Sequence, residues 1–151
     1  MKHIIFVCTG NICRSPMAEG LLKHELGESS EIQVSSAGIA AGEGMPPSLN
    51  SVTAMQDLNI DITDQRSTQL TPELAASADY LFVMTYGHLD AILMMYPEAA
   101  DKTYLVRHFI EDETLLHRDI SDPIGQSEQV YRHCRDEIAS AMKSIIAFLK
   151  Q

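Results

Sequence analysis

The ten residues from Val7 to Pro16 constrain this chain more than any other stretch. Just upstream, His3-Ile4-Ile5-Phe6-Val7 is short, β-branched and uninterrupted, the pattern of a strand buried on both faces. Ser15-Pro16 then has the form of a helix start, with serine as cap and proline at the first helical position, where its missing N–H costs nothing. A doubly buried strand that feeds a helix belongs to a parallel sheet. Between the two, successive backbone N–H groups and the helix start form a concave site for an anion. Arg14 adds a planar fork that can grip two oxygens of a phosphate. At the other end of the loop stands Cys8, and a field of N–H dipoles favours the thiolate, the nucleophilic form of cysteine. A phosphate cradle and a nucleophile in one loop are what covalent cleavage of a phosphate ester requires.

The rest of the chain alternates in the same way. Ala18, Leu21, Leu22 and Leu26 keep helical spacing up to Gly27, a natural C-cap. Ile32-Gln33-Val34-Ser35-Ser36 reads as a second strand, and the Gly-, Ala- and Pro-rich run from Gly38 to Pro47 as a loop long enough to border a site. Leu49, Val52, Met55 and Leu58 suggest a helix, and Thr71-Pro72-Glu73 opens a short one by the cap-then-proline pattern. Asp79–Met84 reads as a third strand, a helix containing Leu89, Ile92 and Leu93 follows it, and Thr103–Val106 is a fourth strand. A last helix carries the stripe Val130, Cys134, Ile138, Ala141, Met142, Ile145 and Leu149. The expected fold is α/β, one domain over residues 1–151, with a four-stranded parallel sheet flanked by helices on both faces. Ligands in such sheets bind beyond the carboxyl ends of the strands, where the Cys8 loop lies.

Charge and cysteine usage narrow the partners. With 21 acidic residues against 11 basic ones, the net charge is −10, which disfavours nucleic acid and anionic membranes. Six scattered histidines lack metal-ligand spacing; they read as surface or structural residues, and neither metal nor organic cofactor is expected. Three cysteines make no disulfide framework, Met1-Lys2 leads straight into a strand, and no apolar run approaches the ~20 residues that span a bilayer. The expected compartment is reducing cytoplasm. Cys134, on an apolar helical stripe, reads as core, and Asp122-Pro123 by itself reads as a turn.

Cys8-Thr9-Gly10-Asn11-Ile12-Cys13-Arg14-Ser15 resembles the C-x5-R-S loop of the low-molecular-weight protein tyrosine phosphatases, and Asp122-Pro123 resembles their general-acid loop. The likeness continues through Ser35-Ser36-Ala37-Gly38, Arg66-Ser67-Thr68-Gln69-Leu70 and Val83-Met84-Thr85, and so covers essentially the whole chain. It implies a phosphocysteine intermediate on Cys8, phosphate binding by residues Thr9 to Arg14, Asp122 as general acid and base, and a Ser15 hydroxyl donating to the Cys8 sulfur. Asn11 and Ser36 would hold the loop in shape, and Cys13 would trap Cys8 as a reversible disulfide. Gln65 departs from the pattern, since relatives often have histidine before Arg66-Ser67. Arsenate reductases share the loop, but they resemble one another in further cysteines after the third strand, and this chain has none between Val83 and Leu93. A non-catalytic phosphate-binding module would need neither the thiol nor the acid.

The implied partner is a phosphorylated protein or peptide, and two branches of the family compete for its chemistry. Thr9 and Asp122-Pro123-Ile124-Gly125 resemble the protein-arginine phosphatases. Ile12 resembles the tyrosine phosphatases, where an aliphatic side chain suits a flat phenyl; the arginine branch has threonine there. An unpaired buried donor costs ~1–3 kcal/mol, more than the ~0.5–1.5 kcal/mol of a forgone aromatic stack. The expectation is phosphotyrosine.

Overall fold

In a computed structural model of the chain, which describes residues 1–28 and 31–151, four parallel strands make one sheet in the order β2-β1-β3-β4. They are β1 (Lys2–Cys8), β2 (Ile32–Gly38), β3 (Tyr80–Val83) and β4 (Thr103–Leu105). Between and after them come α1 (Arg14–Leu26), α2 (Leu49–Gln56), α3 (Pro72–Ser77), α4 (Tyr86–Met95), a 3-10 turn (Pro97–Lys102) and α5 (Glu128–Leu149). No helix among the described residues is long and apolar enough to cross a membrane.

Alternation along β1 divides the core in two. Ile4, Phe6 and Cys8 face a cluster built with α1, α2 and α5, including Met17, Met55, Ile138 and Ile145. Ile5 and Val7 face the opposite cluster, closed by Ala75 of α3, Ile92 of α4 and Ala99. Both faces of the central strand are therefore dry, which is why its sequence is a continuous apolar run.

β2 runs two residues further than its apolar pattern, because its ladder with β1 continues in register from Lys2↔Ile32 to Cys8↔Gly38. α2 stops at Gln56, before Leu58, and Leu49 at its start is 78% exposed. On α5, Val130 is 40% exposed and Tyr131 takes the inward place in the first turn. The stripe from Cys134 to Leu149 is buried as expected.

Four helix starts are capped by side chains: Ser48, Thr71, Thr85 and Ser127 accept from the N–H groups of Ser51, Leu74, His88 and Val130. Such a cap typically contributes about 1 kcal/mol. α1 differs, for its N-cap position is Cys13 and no side chain caps it. Ser15, read as the cap from sequence, is the second residue of the helix instead, and its hydroxyl is used elsewhere. No side chain therefore caps the first N–H groups of α1.

Candidate active site

Because the loop between β1 and α1 leaves the carboxyl end of a central strand, the predicted site residues converge there. Cys8, Thr9, Gly10, Ile12, Cys13 and Arg14 line a cleft of about 120 Å³, closed on the far side by Asp122 and Ile124. Asn11, Ser15 and Ser36 stand behind it.

The hydrogen bonds behind the loop fix the direction of each proton. Asn11 takes the left-handed backbone conformation, φ 58°, that asparagine tolerates better than most residues. Its Oδ1 accepts from the Thr68 N–H at 2.8 Å, so its Nδ2 must donate, to Ser15 Oγ at 2.8 Å and Ser36 Oγ at 2.9 Å. With an acceptor site of Ser15 so occupied, the Ser15 hydroxyl proton is free for Cys8 Sγ, 2.9 Å away. Ser36 in turn donates to Glu19 Oε1 at 2.7 Å, and Lys23 Nζ lies 2.6 Å from the other Glu19 oxygen. A buried carboxylate at one end and a sulfur at the other thus anchor an unbroken chain of donors and acceptors.

Gly38 lets β2 close on this loop. A Cβ there would meet the Thr9 carbonyl oxygen at 2.5 Å, Ala41 Cβ at 2.9 Å and the Asn11 nitrogen at 3.0 Å. Two of those atoms are backbone and cannot swing aside. Gly38→Ala is expected to cost roughly 1–3 kcal/mol of stability, the usual range for overpacking. Chemical denaturation checks this, and an unchanged midpoint would mean that the loop is not wedged against β2.

Arg14 is buried under the cleft. Its Nη1 donates to the Ile120 carbonyl at 2.8 Å and its Nη2 lies 3.6 Å from Asp122 Oδ2. The buried Nε finds no partner among the described residues. Asp122 sits at the lip, its side chain 43% exposed, with Oδ1 accepting from the Ile124 N–H at 3.0 Å. The segment that carries it is tied down by Ile120 N–H to the Met84 carbonyl, 2.8 Å, and by Tyr86 N–H to Asp119 Oδ1, 2.8 Å.

The other two cysteines differ in setting. Cys13 Sγ, at the cleft, lies 3.5 Å from Ser48 Oγ and 3.4 Å from the Tyr131 hydroxyl, and burial pushes that phenol up to about 12. Cys134 is core, as read from sequence; burial pushes its thiol up to about 12, and its Sγ lies 3.8 Å from the Ser121 carbonyl.

Sequence reasoning passed over three neighbours of the loop. His88, which reads from sequence as a surface or structural histidine, is 8% exposed, with Nε2 2.9 Å from Thr9 Oγ1. The available signal was Thr85-Tyr86-Gly87-His88 directly after the third strand, since strand ends gather in a parallel sheet. Glu19 and Tyr131, behind the loop, carried no comparable mark. Gln65 donates from Nε2 to the Pro16 carbonyl at 3.1 Å, while its buried Oε1 has no partner among the described residues.

A parallel α/β sheet that brings a thiol, a guanidinium and an aspartate to one small cleft has the parts of a cysteine-dependent phosphatase. The model of the family described as low molecular weight phosphotyrosine protein phosphatase matches residues 3–151, and the chain belongs to that family. It is 40% identical over 136 residues to a protein-arginine-phosphatase of Geobacillus stearothermophilus, covering 90% of this chain and 88% of that one. To an arsenate reductase of Bacillus cereus it is 37% identical over 142 residues, 94% and 92% of the two chains. To a probable low molecular weight protein-tyrosine-phosphatase of Ralstonia nicotianae it is 40% identical over 123 residues, 82% and 79%. Among solved structures, the Geobacillus stearothermophilus arginine phosphatase superposes with a TM-score of 0.90 at 37% identity, over 99% of this chain and 94% of that one. The Vibrio vulnificus protein Wzb in complex with benzylphosphonate gives a TM-score of 0.86 at 33% identity, over 99% and 97%.

Proposed function

We propose that the protein hydrolyses phosphotyrosine in proteins or peptides through a phosphocysteine on Cys8. The observation that carries the chemistry is the Ser15 hydroxyl, aimed at Cys8 Sγ by the donation it receives from Asn11. A proton donor held there stabilises negative charge on sulfur, before attack and when the thiolate leaves.

In the first step the Cys8 thiolate attacks phosphorus, the bond from phosphorus to the tyrosine oxygen breaks, and Asp122 gives its proton to that oxygen. The N–H groups of the loop and the Arg14 guanidinium hold the equatorial oxygens as charge moves across them. In the second step Asp122, now a carboxylate, takes a proton from water. The water oxygen bonds to phosphorus, the sulfur–phosphorus bond breaks, and the thiolate returns with inorganic phosphate.

Several features favour a phosphatase over a reductase. The relay cysteines that arsenate reductases have after the third strand are missing, and Cys134 is a buried thiol whose ionisation burial opposes. A binding module would need neither the thiol at the cleft floor nor the carboxylate at its lip.

For the substrate, the cleft walls favour an aryl group. Ile12 and Ile124 offer aliphatic surface, and Asp122 is the one carboxylate in the lining. A phenyl ring asks for no more. A phosphoguanidinium brings several N–H donors to a single carboxylate whose Oδ1 is already engaged. Benzylphosphonate in the Vibrio vulnificus relative joins a benzyl ring to a phosphonate, much as phosphotyrosine joins a ring to phosphate. Identity to arginine phosphatases supports phosphoarginine as the second reading. Phosphoserine is too short to reach the loop floor.

The test is kcat/KM on matched phosphotyrosine, phosphoarginine and phosphoserine peptides. An unpaired donor at ~1–3 kcal/mol predicts a preference for tyrosine over arginine on the order of tenfold to a hundredfold. Ile12→Thr should shift that ratio toward arginine. A higher value for phosphoarginine in the unaltered protein would overturn the assignment.

A further inference from the structure

His88 lies outside the loop, the acid segment and the hydrogen-bond chain behind Cys8, yet it is bonded to the rim of the cleft. It occupies the first turn of α4, where its N–H is capped by Thr85 Oγ1 at 3.1 Å. The residue is 8% exposed, and its Nε2 meets Thr9 Oγ1 at 2.9 Å. Its Nδ1 is buried without a partner among the described residues. Burial, and then the nearby Arg14 guanidinium, push the imidazole down to about 4, so it is neutral under ordinary conditions.

A neutral imidazole has one N–H and one lone pair. An orphaned buried N–H is the rarer and costlier of the two to leave unmade. The proton therefore belongs on Nε2, and the unpartnered Nδ1 keeps the lone pair. Nε2–H then donates to Thr9 Oγ1, which leaves the threonine hydroxyl with a proton to give. Thr9 is exposed and lines the cleft. Its methyl and hydroxyl cannot both be placed at will once the oxygen is held by His88.

We infer that His88 is a positioning residue that fixes the Thr9 hydroxyl as a side-chain donor to the phosphoryl group in the cleft, adding to the loop N–H groups and Arg14. This rests on the reading of the cleft as a phosphoryl site. The pair acts as one unit: the imidazole supplies no proton to the substrate, and the threonine supplies it only when its oxygen is engaged from behind.

The experiment compares the unaltered protein with Thr9→Val, His88→Leu, His88→Gln and the Thr9→Val/His88→Leu double variant. The readouts are the inhibition constant of inorganic phosphate and the kcat and KM for p-nitrophenyl phosphate. Thr9→Val and His88→Leu should each weaken phosphate inhibition by about tenfold, the scale of one hydrogen bond to a charged group. The double variant should be no worse than either single one, and His88→Gln, whose amide can donate from a similar place, should recover most of the loss. Because Thr9 is exposed, Thr9→Val tests the idea even where His88→Leu folds poorly. Normal phosphate inhibition in Thr9→Val, or losses that multiply in the double variant, would overturn the inference while leaving the phosphatase reading intact. An unaltered protein that hydrolyses p-nitrophenyl phosphate without being inhibited by phosphate would overturn the inference alone; one that does neither would overturn the phosphatase reading with it.

Discussion

Replacing Cys8 by serine is expected to abolish turnover while leaving the cleft able to bind inorganic phosphate. The substitution keeps the shape of the loop and exchanges a thiol for a hydroxyl, a weaker nucleophile and a poorer leaving group from phosphorus. Removing a covalent nucleophile from an otherwise intact site costs on the order of 10⁴-fold or more. The N–H groups and Arg14 do not depend on the sulfur, so phosphate should still bind by calorimetry. Turnover close to that of the unaltered protein would overturn the assignment of Cys8 as the nucleophile.

Asp122→Asn should produce the second large loss, and its size should depend on the substrate. General acid catalysis contributes about 10²–10⁴-fold, or roughly 3–5 kcal/mol of barrier. That help is needed most when the departing oxygen is a poor leaving group. Alkyl and unactivated aryl phosphates should therefore slow by the full factor, and p-nitrophenyl phosphate by much less in its first step. Equal losses across a series of leaving groups would assign Asp122 a structural role, through its Asx turn with Ile124 and its approach to Arg14.

The half of this site that lies within one βα unit is legible because it is local. β1, its loop and α1 follow from a buried apolar run, a cysteine, an arginine and a proline within fifteen residues. Asp122 is different. Its position is set by Arg14 holding the Ile120 carbonyl, a contact between residues 106 apart, and by Ile120 pairing with the end of β3. On residue patterns alone it is a turn aspartate, and only resemblance to a family singles it out. His88 and Tyr131 are illegible in the sequence for the same reason, since they reach Thr9 and Cys13 through the sheet order and the packing of α5.

Ser15 shows a subtler limit: serine before proline favours a cap, but tertiary partners claimed its hydroxyl. Leu49 and Val130 keep the apolar spacing of their helices, yet are 78% and 40% exposed. Periodicity identifies the face of a helix and does not say where along its length the neighbours begin.

The central claim is a covalent phosphocysteine on Cys8, and the Asp122→Asn variant offers the most direct measurement of it. With p-nitrophenyl phosphate the first step remains fast, while the second lacks its base, so the intermediate should accumulate. Rapid quenching in acid, followed by intact-mass and peptide analysis, should find a phosphoryl group on the peptide carrying Cys8, in amounts matching a burst of nitrophenol. No burst and no adduct, or a phosphoryl group on another residue, would contradict the account.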